Sequence, residues 1–272
     1  MHIRKRLTLC GIALAALTWS GSALAQSACA GQYAGEKPPE VVRAALSEKL
    51  RELCYRAYVV AHSGLTRTPL WAAEVLTRAE AQLAIDTAGD DYGFRVESRL
   101  PSDEQARSAD YTNSGFDKGH MVPSGNFGIA ADDRATFTLA NAVPQHPCLN
   151  QRTWRKMEEA LLHAAATRPV TFIVTGTLYE QASPPTTNNG GRVAIPNATF
   201  KAIHVPGEGA AAYIATNPQT KAEIPVWSVV SIDALTARLG VDVFPALGPI
   251  TKGTVMSLPI PSEPSSVCNK GR

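Results

Sequence analysis

The chain has 272 residues, of which 44% are hydrophobic and 18% are charged. This length and composition are typical of a protein with one sizeable hydrophobic core. They exclude an intrinsically disordered chain, a collagen and a coiled coil. The 26 basic and 24 acidic residues give a formal net charge of +2.

The N-terminal segment has the pattern of a secretory signal peptide. Three basic residues at 4–6 precede an apolar run over residues 7–19, and an Ala-Leu-Ala tripeptide ends at Ala25. The apolar run is too short to span a membrane, and the tripeptide is the pattern that a signal peptidase recognises. We therefore predict cleavage near Ala25, one domain over residues 26–272, no membrane attachment, and a periplasmic or secreted location.

Loss of this segment changes the net charge. The segment carries three of the 26 basic residues and none of the 24 acidic residues, so the mature chain has a net charge near −1. The mature chain therefore lacks the strong positive charge that attracts polyanions without regard to sequence. A nucleic acid would have to be held by a local basic patch or by a metal ion, and a protein that coats DNA is disfavoured.

Four cysteines remain after cleavage, namely Cys29, Cys54, Cys148 and Cys268. In an exported protein they are expected to form two disulfides, and four cysteines allow three pairings. We favour Cys29 with Cys54 and Cys148 with Cys268, because the first two flank a predicted helix near the N-terminus.

The spacing of apolar residues predicts both helices and strands. In chain order the pattern predicts a helix at 38–55, strands at 58–62 and 69–76, a long loop at 98–115, a short helix at 132–139, turns at 141–149, a helix at 150–167, strands at 170–175, 200–205, 211–216 and 226–230, a helix at 232–239, and an extended proline-rich end from residue 245. Neither internal repeats nor a linker divides the chain.

The predicted helix at 150–167 carries polar residues on its apolar side. At 100° per residue, Asn150 lies on the same side as Trp154, Met157 and Leu161, and Glu158 lies at the edge of that side. A buried polar group without a partner costs about 1 to 3 kcal/mol, and a buried charge costs more. Two interpretations stand: a helix N-cap with a salt bridge, or a metal ion with its water shell.

A second polar motif, Asp-Lys-Gly-His, occupies residues 117–120 after the predicted loop. Gly119 allows the imidazole of His120 to approach a substrate closely, and Asp117 can secure the turn through backbone N–H groups. Taken alone, the motif is more typical of a turn histidine than of a catalytic one. Its interpretation depends on its combination with the helix that begins at Asn150.

These two motifs belong to a longer ordered set of segments. The set comprises Ala-Asp-Tyr at 109–111, Gly-Phe-Asp-Lys-Gly-His at 115–120, Asn-Ala-Val-Pro-Gln at 141–145, Leu-Asn-Gln at 149–151 with Trp154 and Glu158, and Thr-Gly at 175–176 before Leu-Tyr at 178–179. Over about residues 58–240 the chain resembles the DNA/RNA non-specific endonucleases of the ββα-metal (His-Me finger) group. The resemblance implies an α+β fold with a central antiparallel sheet flanked by helices and a ββα-metal catalytic unit.

The resemblance also implies a role for each candidate residue. His120 would be the general base, Asn150 the direct protein ligand of Mg²⁺ or Mn²⁺, and Glu158 the group that holds a metal-bound water. Asp117 and Asn141 would support the site. A neutral imidazole, with an ordinary pKa of about 6.5, suits removal of a proton from the attacking water.

The chain departs from the family pattern at two places. Lys118 stands where the family usually has arginine. If Lys118 binds substrate, it cannot form the bidentate hydrogen bonds to phosphate that arginine forms. The family also uses an upstream arginine to stabilise the transition state. Arg95 is our first choice and Arg99 the second, since residues 94–99 align without a fixed register. The alternative is that both are surface charges.

Other polar residues have structural interpretations. His146 and Cys148 lack the paired spacing of zinc ligands. The basic residues Arg152, Arg155 and Lys156 point away from the apolar side of their helix and are interpreted as a solvent-exposed face. Neither the G-x-S-x-G pattern nor the H-E-x-x-H pattern occurs, which excludes the usual serine hydrolase and zinc protease signatures.

The predicted function is Mg²⁺-dependent cleavage of DNA and RNA without sequence preference, leaving 5′-phosphate ends. Dimers occur in the family, so a homodimer is an alternative to a monomer. Two other functions stay open. One is a non-catalytic nucleic-acid-binding module on the same fold, and the other is a phosphodiesterase that acts on a nucleotide or a lipid head group.

Overall fold

The computed structural model describes residues 29–188, 191–220 and 223–261. The predicted signal peptide over residues 1–25 and the predicted disulfide partner Cys268 lie outside these ranges. Both therefore stay predictions. In the part of the chain that the structure describes, no helix is both long enough and apolar enough to cross a membrane.

Strands and helices are interspersed along the chain. The strands are β1 (Glu40–Val41), β2 (Leu50–Cys54), β3 (Tyr58–Ser63), β4 (Thr68–Thr77), β5 (Asp117–His120), β6 (Ala142–Gln145), β7 (Val170–Leu178), β8 (Ala198–Val205), β9 (Gly209–Thr216), β10 (Trp227–Val230) and β11 (Val241–Asp242). The helices are α1 (Arg78–Asp86), α2 (Ser108–Tyr111), α3 (Ala130–Thr136), α4 (Arg155–Ala165), α5 (Ile232–Leu239) and α6 (Pro249–Gly253). A π-helical turn over Leu149–Trp154 leads directly into α4.

A seven-stranded antiparallel sheet forms the centre, with the strand order β10-β9-β8-β7-β4-β3-β2. Two smaller antiparallel pairs join β5 with β6 and β1 with β11. This arrangement confirms the predicted α+β class with a central antiparallel sheet.

Both faces of the seven-stranded sheet are covered. Successive side chains of a strand point to opposite faces, so Val59 and Ala61 of β3 pack with α5, whereas Tyr58 and Val60 pack with the β5–β6 unit. Helix α4 covers the same face as β5 and β6, further along the sheet, and we call this the α4 face. Because the central strands are buried on both faces, they are continuous apolar runs, which is why they could be predicted from sequence.

The helix predicted at 38–55 is wrong. These residues form β1, a 3₁₀ turn over Ala44–Ser47, and β2. Lys49 has a φ of +54°, which is incompatible with a continuing right-handed helix. The five residues after it pair with β3 along the edge of the sheet. Backbone pairing with a neighbouring strand has therefore outweighed the helical spacing of the apolar side chains.

A disulfide joins Cys29 to Cys54, whose Cα atoms are 5.7 Å apart. This is one of the two predicted pairs, although the helix that motivated it is absent. The bond attaches the N-terminal segment to the last residue of edge strand β2. The same segment contributes Tyr33, which packs edge-on against Trp71 at a centroid distance of 6.0 Å. The disulfide thus secures one end of the core.

Loss of this disulfide should reduce stability. The bond closes a loop with a sequence separation of 25, and a loop of this length restricts the unfolded chain enough to contribute about 3 kcal/mol. We expect the double substitution Cys29→Ser with Cys54→Ser to lower the free energy of unfolding by about that amount in urea titrations. An unchanged urea midpoint would contradict this role.

Candidate active site

Strands β5 and β6 bring His120 to the α4 face. They pair in antiparallel register, with His120 opposite Ala142. The turns predicted at 141–149 therefore include a strand, which was hard to recognise because it contains Pro144. A Cβ atom on Gly119 would lie 1.9 Å from Oε1 of Gln145, so only glycine fits at this position. Close packing against the Gln145 side chain is therefore one reason for this glycine, and access of His120 to substrate stays a prediction.

The imidazole of His120 packs against two aromatic rings that also contact each other. Its centroid is 4.7 Å from that of Phe94 and 4.8 Å from that of Phe137. Its Nε2 is buried and has no hydrogen-bond partner among the described residues. Burial lowers the pKa of His120 to about 4, against a smaller opposing effect of Asp91. The expectation of an ordinary pKa near 6.5 is therefore wrong, and the ring is neutral over a wider pH range.

Asn150 is oriented by Asp117. The Oδ2 atom of Asp117 accepts hydrogen bonds from Nδ2 of Asn150 at 3.0 Å and from Nε2 of Gln151 at 2.7 Å. A carboxylate only accepts hydrogen bonds, so the amide nitrogen of Asn150 faces Asp117 and its oxygen faces the other way. The N-cap interpretation of Asn150 is thus wrong. Asp117 acts through side chains rather than through the backbone N–H groups we expected.

Glu158 lies on α4, with its side chain 18% exposed. Its Oε1 atom is 3.6 Å from Nζ of Lys201, so the salt bridge that we considered for this residue is present. The same oxygen is buried and has no hydrogen-bond partner in the described chain. Burial raises the pKa of Glu158 to about 7, and Lys201 opposes that shift.

These three side chains line one groove on the α4 face. The groove runs from His120 and the loop at Ser124 to Asn150, Arg155 and Glu158. It presents an amide oxygen and a carboxylate beside a neutral imidazole. Hard oxygen ligands of this kind are what Mg²⁺ prefers, and Mg²⁺ needs few of them because it keeps much of its water shell. The residues present therefore fit the predicted ion.

Asn141 holds the chain that follows His120. Its Oδ1 accepts from the backbone N–H of Val122 at 3.0 Å, and its Nδ2 donates to the carbonyl oxygens of Val122 and Thr136 at 2.9 and 3.1 Å. The side chain is fully buried. These contacts suit the predicted supporting role.

His146 is also buried, and its Nδ1 accepts from the backbone N–H of Cys148 at 3.2 Å.

The two upstream arginines have different surroundings. Arg99 is engaged by Glu97 at two points, Nε to Oε1 and Nη2 to Oε2, each at 2.8 Å. This hydrogen bonding lowers the pKa of Glu97 to about 2. Arg95 donates to the carbonyl oxygen of Arg134 at 3.1 Å and follows Phe94, which contacts His120. A transition-state role for Arg95 stays a prediction, and Arg99 is the weaker candidate.

Lys118 shares a strand face with His120, since the two are two residues apart. Its Nζ lies 6.0 Å from the ring centre of Phe94 and 5.8 Å from that of Tyr111. The charge is thus held over aromatic rings beside His120. Its substrate-binding role stays a prediction.

Sequence reasoning missed two residues at this site. Arg155 was interpreted as part of a solvent-exposed face, yet it lines the groove beside Asn150 and Glu158. Lys201 was not singled out, yet it is the buried partner of Glu158. A lysine within the apolar run of β8 was the available signal, because a charge in a buried strand requires a partner.

The chain was compared with known families and structures. A family model described as DNA/RNA non-specific endonuclease matches residues 40–248. Mitochondrial endonuclease G of Bos taurus is 29% identical over 215 residues, covering 72% of this chain and 69% of the relative. The human protein of the same name is 31% identical over 168 residues, covering 56% and 54%.

The chain is also similar to a protein that is not an endonuclease G by name. A nuclease of the Nostoc strain PCC 7120 is 28% identical over 178 residues, covering 60% of this chain and 64% of the relative. Among solved structures, a crystal structure of an EndoG/EndoGI complex matches with a TM-score of 0.60 at 21% identity. The match covers 74% of this chain and 88% of that chain. This last likeness is one of fold, and it agrees with the predicted ββα-metal architecture.

Proposed function

The chain belongs to the DNA/RNA non-specific endonuclease family, and we propose that it hydrolyses the phosphodiester bonds of DNA and RNA without sequence preference, leaving 5′-phosphate ends. Family membership makes it a hydrolytic nuclease. The observation that carries the finer proposal is that His120, Asn150 and Glu158 line a single groove. A shared fold would not be sufficient, because function depends on the residues of the site.

His120 acts as the general base in this proposal. Its ring lines the groove while Nε2 is buried, which leaves Nδ1 as the nitrogen that can take a proton. Nδ1 would accept a proton from the water that attacks phosphorus, and the bond from phosphorus to the 3′ oxygen would break. The rings of Phe94 and Phe137 hold the imidazole in place and keep it neutral.

Asn150 and Glu158 are the residues that would hold Mg²⁺. The oxygen of Asn150 is turned away from Asp117 and is available to the ion, and Glu158 would accept hydrogen bonds from its water shell. When bound, the ion supplies positive charge that stabilises the phosphate and the departing 3′ oxygen. Mn²⁺ would suit the same oxygen ligands.

Arg155 supplies a positive charge for the substrate phosphate. Its side chain is 70% exposed and lines the groove beside Asn150 and Glu158. A guanidinium can grip a phosphate at two points, which Lys118 cannot do. A local charge of this kind is what a mature chain with a net charge near −1 requires to bind a polyanion.

We expect Arg155→Ala to weaken substrate binding more than turnover. KM for DNA should rise about tenfold, since one charge-assisted hydrogen bond is lost at an exposed site. The slope of log affinity against log salt concentration should decrease by the equivalent of about one phosphate contact. The matched control is Lys156→Ala, because Lys156 and Arg155 both pair with Glu159 and Lys156 is not a groove-lining residue of the described chain. Equal effects of the two substitutions would contradict a contact between Arg155 and phosphate.

The proposal includes export through the predicted signal peptide at residues 1–25. The disulfide between Cys29 and Cys54 supports an oxidising compartment. Determination of the N-terminus of the protein recovered from periplasm or medium tests this directly. A start near residue 26 is expected, and an intact N-terminus would contradict export by this route.

The proposed function is tested by incubating the purified protein with plasmid DNA, RNA and a small chromogenic phosphodiester, with and without EDTA. We expect both polymers to be degraded, Mg²⁺ or Mn²⁺ to restore activity after EDTA, and the products to carry 5′ phosphate. Cleavage of the small diester alone would indicate a phosphodiesterase for small substrates. Binding of nucleic acid without cleavage would indicate a binding module.

A further inference from the structure

Lys201 is a buried cation directly beneath the groove. It lies in β8, its side chain is 1% exposed, and it points to the α4 face. Its cross-strand partner in β7 is Thr175. A charge buried this completely is costly unless other groups compensate it, so the contacts of its ammonium group decide why it is there.

The Nζ atom contacts four different parts of the fold. It donates to Oγ1 of Thr175 at 2.8 Å and to the carbonyl oxygen of Met121, next to His120, at 3.5 Å. It lies 5.2 Å from the ring centre of Trp154, in the π-helical turn. It is also 3.6 Å from Oε1 of Glu158 on α4. One atom thus joins the central sheet to the segments that carry all three groove residues.

We propose that Lys201 is a positioning residue that holds the carboxylate of Glu158 at the groove, where it can serve a bound Mg²⁺. This inference rests on the proposed function. Lys201 is the cation paired with Glu158, and Oε1 has no hydrogen-bond partner in the described chain that could replace it. Without the ammonium group, the carboxylate would be free to turn away from the groove, and this would weaken its hold on the water shell of the ion.

A second buried carboxylate, Glu74, provides a comparison. It lies on the α4 face of β4, is 1% exposed, and interacts electrostatically with Lys201. Both of its oxygens accept from Nδ2 of Asn126 at 3.0 Å. Glu74 therefore has an anchor of its own, whereas Glu158 depends on Lys201. Removal of Lys201 should affect the groove selectively.

The test measures Mg²⁺ binding by isothermal titration calorimetry on the full mature protein, without nucleic acid. Lys201→Met keeps the apolar stem and removes the charge. We expect its Kd for Mg²⁺ to rise at least ~10-fold over the unsubstituted protein, the lower range for loss of a group that supports a metal site. With DNA as substrate, the half-maximal magnesium concentration should rise in parallel, with less effect on KM for DNA.

A second variant guards against misfolding. Lys201→Met combined with Glu74→Gln keeps the formal charge of the buried cluster unchanged, while Glu158 still loses its partner. Circular dichroism and thermal unfolding would confirm the fold of both variants, and Glu74→Gln alone should bind Mg²⁺ normally. The inference is overturned if folded variants without Lys201 bind Mg²⁺ with an unchanged Kd while the unsubstituted protein binds Mg²⁺ and cleaves DNA. If the unsubstituted protein neither binds Mg²⁺ nor cleaves, the proposed function itself fails.

Discussion

We expect substitution of His120 by alanine to lower kcat by at least ~10²-fold, the lower range for removal of a general base. The expected loss is large because the imidazole is the proposed base, lines the groove and packs against Phe94 and Phe137. KM for DNA should change little, since the ring carries no charge for phosphate. Single-turnover kinetics at saturating Mg²⁺ measure this effect directly.

His163→Ala is the matched control for this substitution. His163 lies on the same helix as Glu158, but its side chain is exposed to solvent. The control should retain near-normal kcat. If both variants retained near-normal turnover, the proposed general-base role of His120 would be wrong.

The pH dependence of kcat provides a second readout for the same residue. Burial lowers the pKa of His120 to about 4. As pH falls through that value the ring gains a proton and loses its basic lone pair, so activity is lost on the acid side and is present above it. We therefore expect kcat to decline on the acid side with a midpoint below pH 6.5. Measurement needs saturating Mg²⁺, because burial also raises the pKa of Glu158 to about 7. A midpoint at pH 6.5 or above would contradict the buried environment of the base.

The second large effect is expected for Asn150→Ala, which removes the one direct protein ligand proposed for the ion. Turnover should fall about as severely as for His120→Ala, and added Mg²⁺ should not restore it readily. Glu158→Gln should instead raise the half-maximal magnesium concentration ~10 to 100-fold and keep measurable turnover at saturation. Eight residues of α-helix span about 12 Å, so even with the π-helical turn over Leu149–Trp154 we expect Glu158 to reach an ion beside Asn150 only through a water.

Gln151→Ala controls for the loss of a hydrogen bond to Asp117. Gln151 donates to the same oxygen as Asn150 and also lines the groove, so a purely structural effect would appear in both variants. A magnesium titration of all three variants separates the roles. If Asn150→Ala recovered at high Mg²⁺ while Glu158→Gln stayed inactive, the assigned roles would be reversed.

The sequence predicted best those features that depend on local pattern. The strands at the centre were recognised as apolar runs, and the helix from Asn150 was recognised because Trp154, Met157 and Leu161 share one side, where all three are buried. The helix predicted at 38–55 failed because edge pairing with β3 is a long-range interaction that local spacing cannot reveal.

The residues of the candidate site that belong to a sequence motif could be predicted. Those that are defined only by contacts in the fold could not. Asp117, His120, Asn150 and Glu158 could be named from the family resemblance. The pairing of Glu158 with Lys201 joins residues 43 positions apart on different elements. A lysine in an apolar strand indicates that a partner is needed, but a single sequence does not show which residue it is. The orientation of the Asn150 amide by Asp117 likewise depends on how β5 meets the π-helical turn.

The central sheet ends in two edges, and both have features that discourage further strands from adding to them. At one end, β2 carries Arg51 and Glu52 as exposed charges, and its last residue is covalently tied to the N-terminal segment. At the other end, β10 has only four residues, Trp227–Val230. Short or charged edges resist edge-to-edge association of the kind that leads to aggregates. Reduction of the disulfide would loosen the segment beside β2, so aggregation on storage should be monitored whenever this protein is handled with thiols.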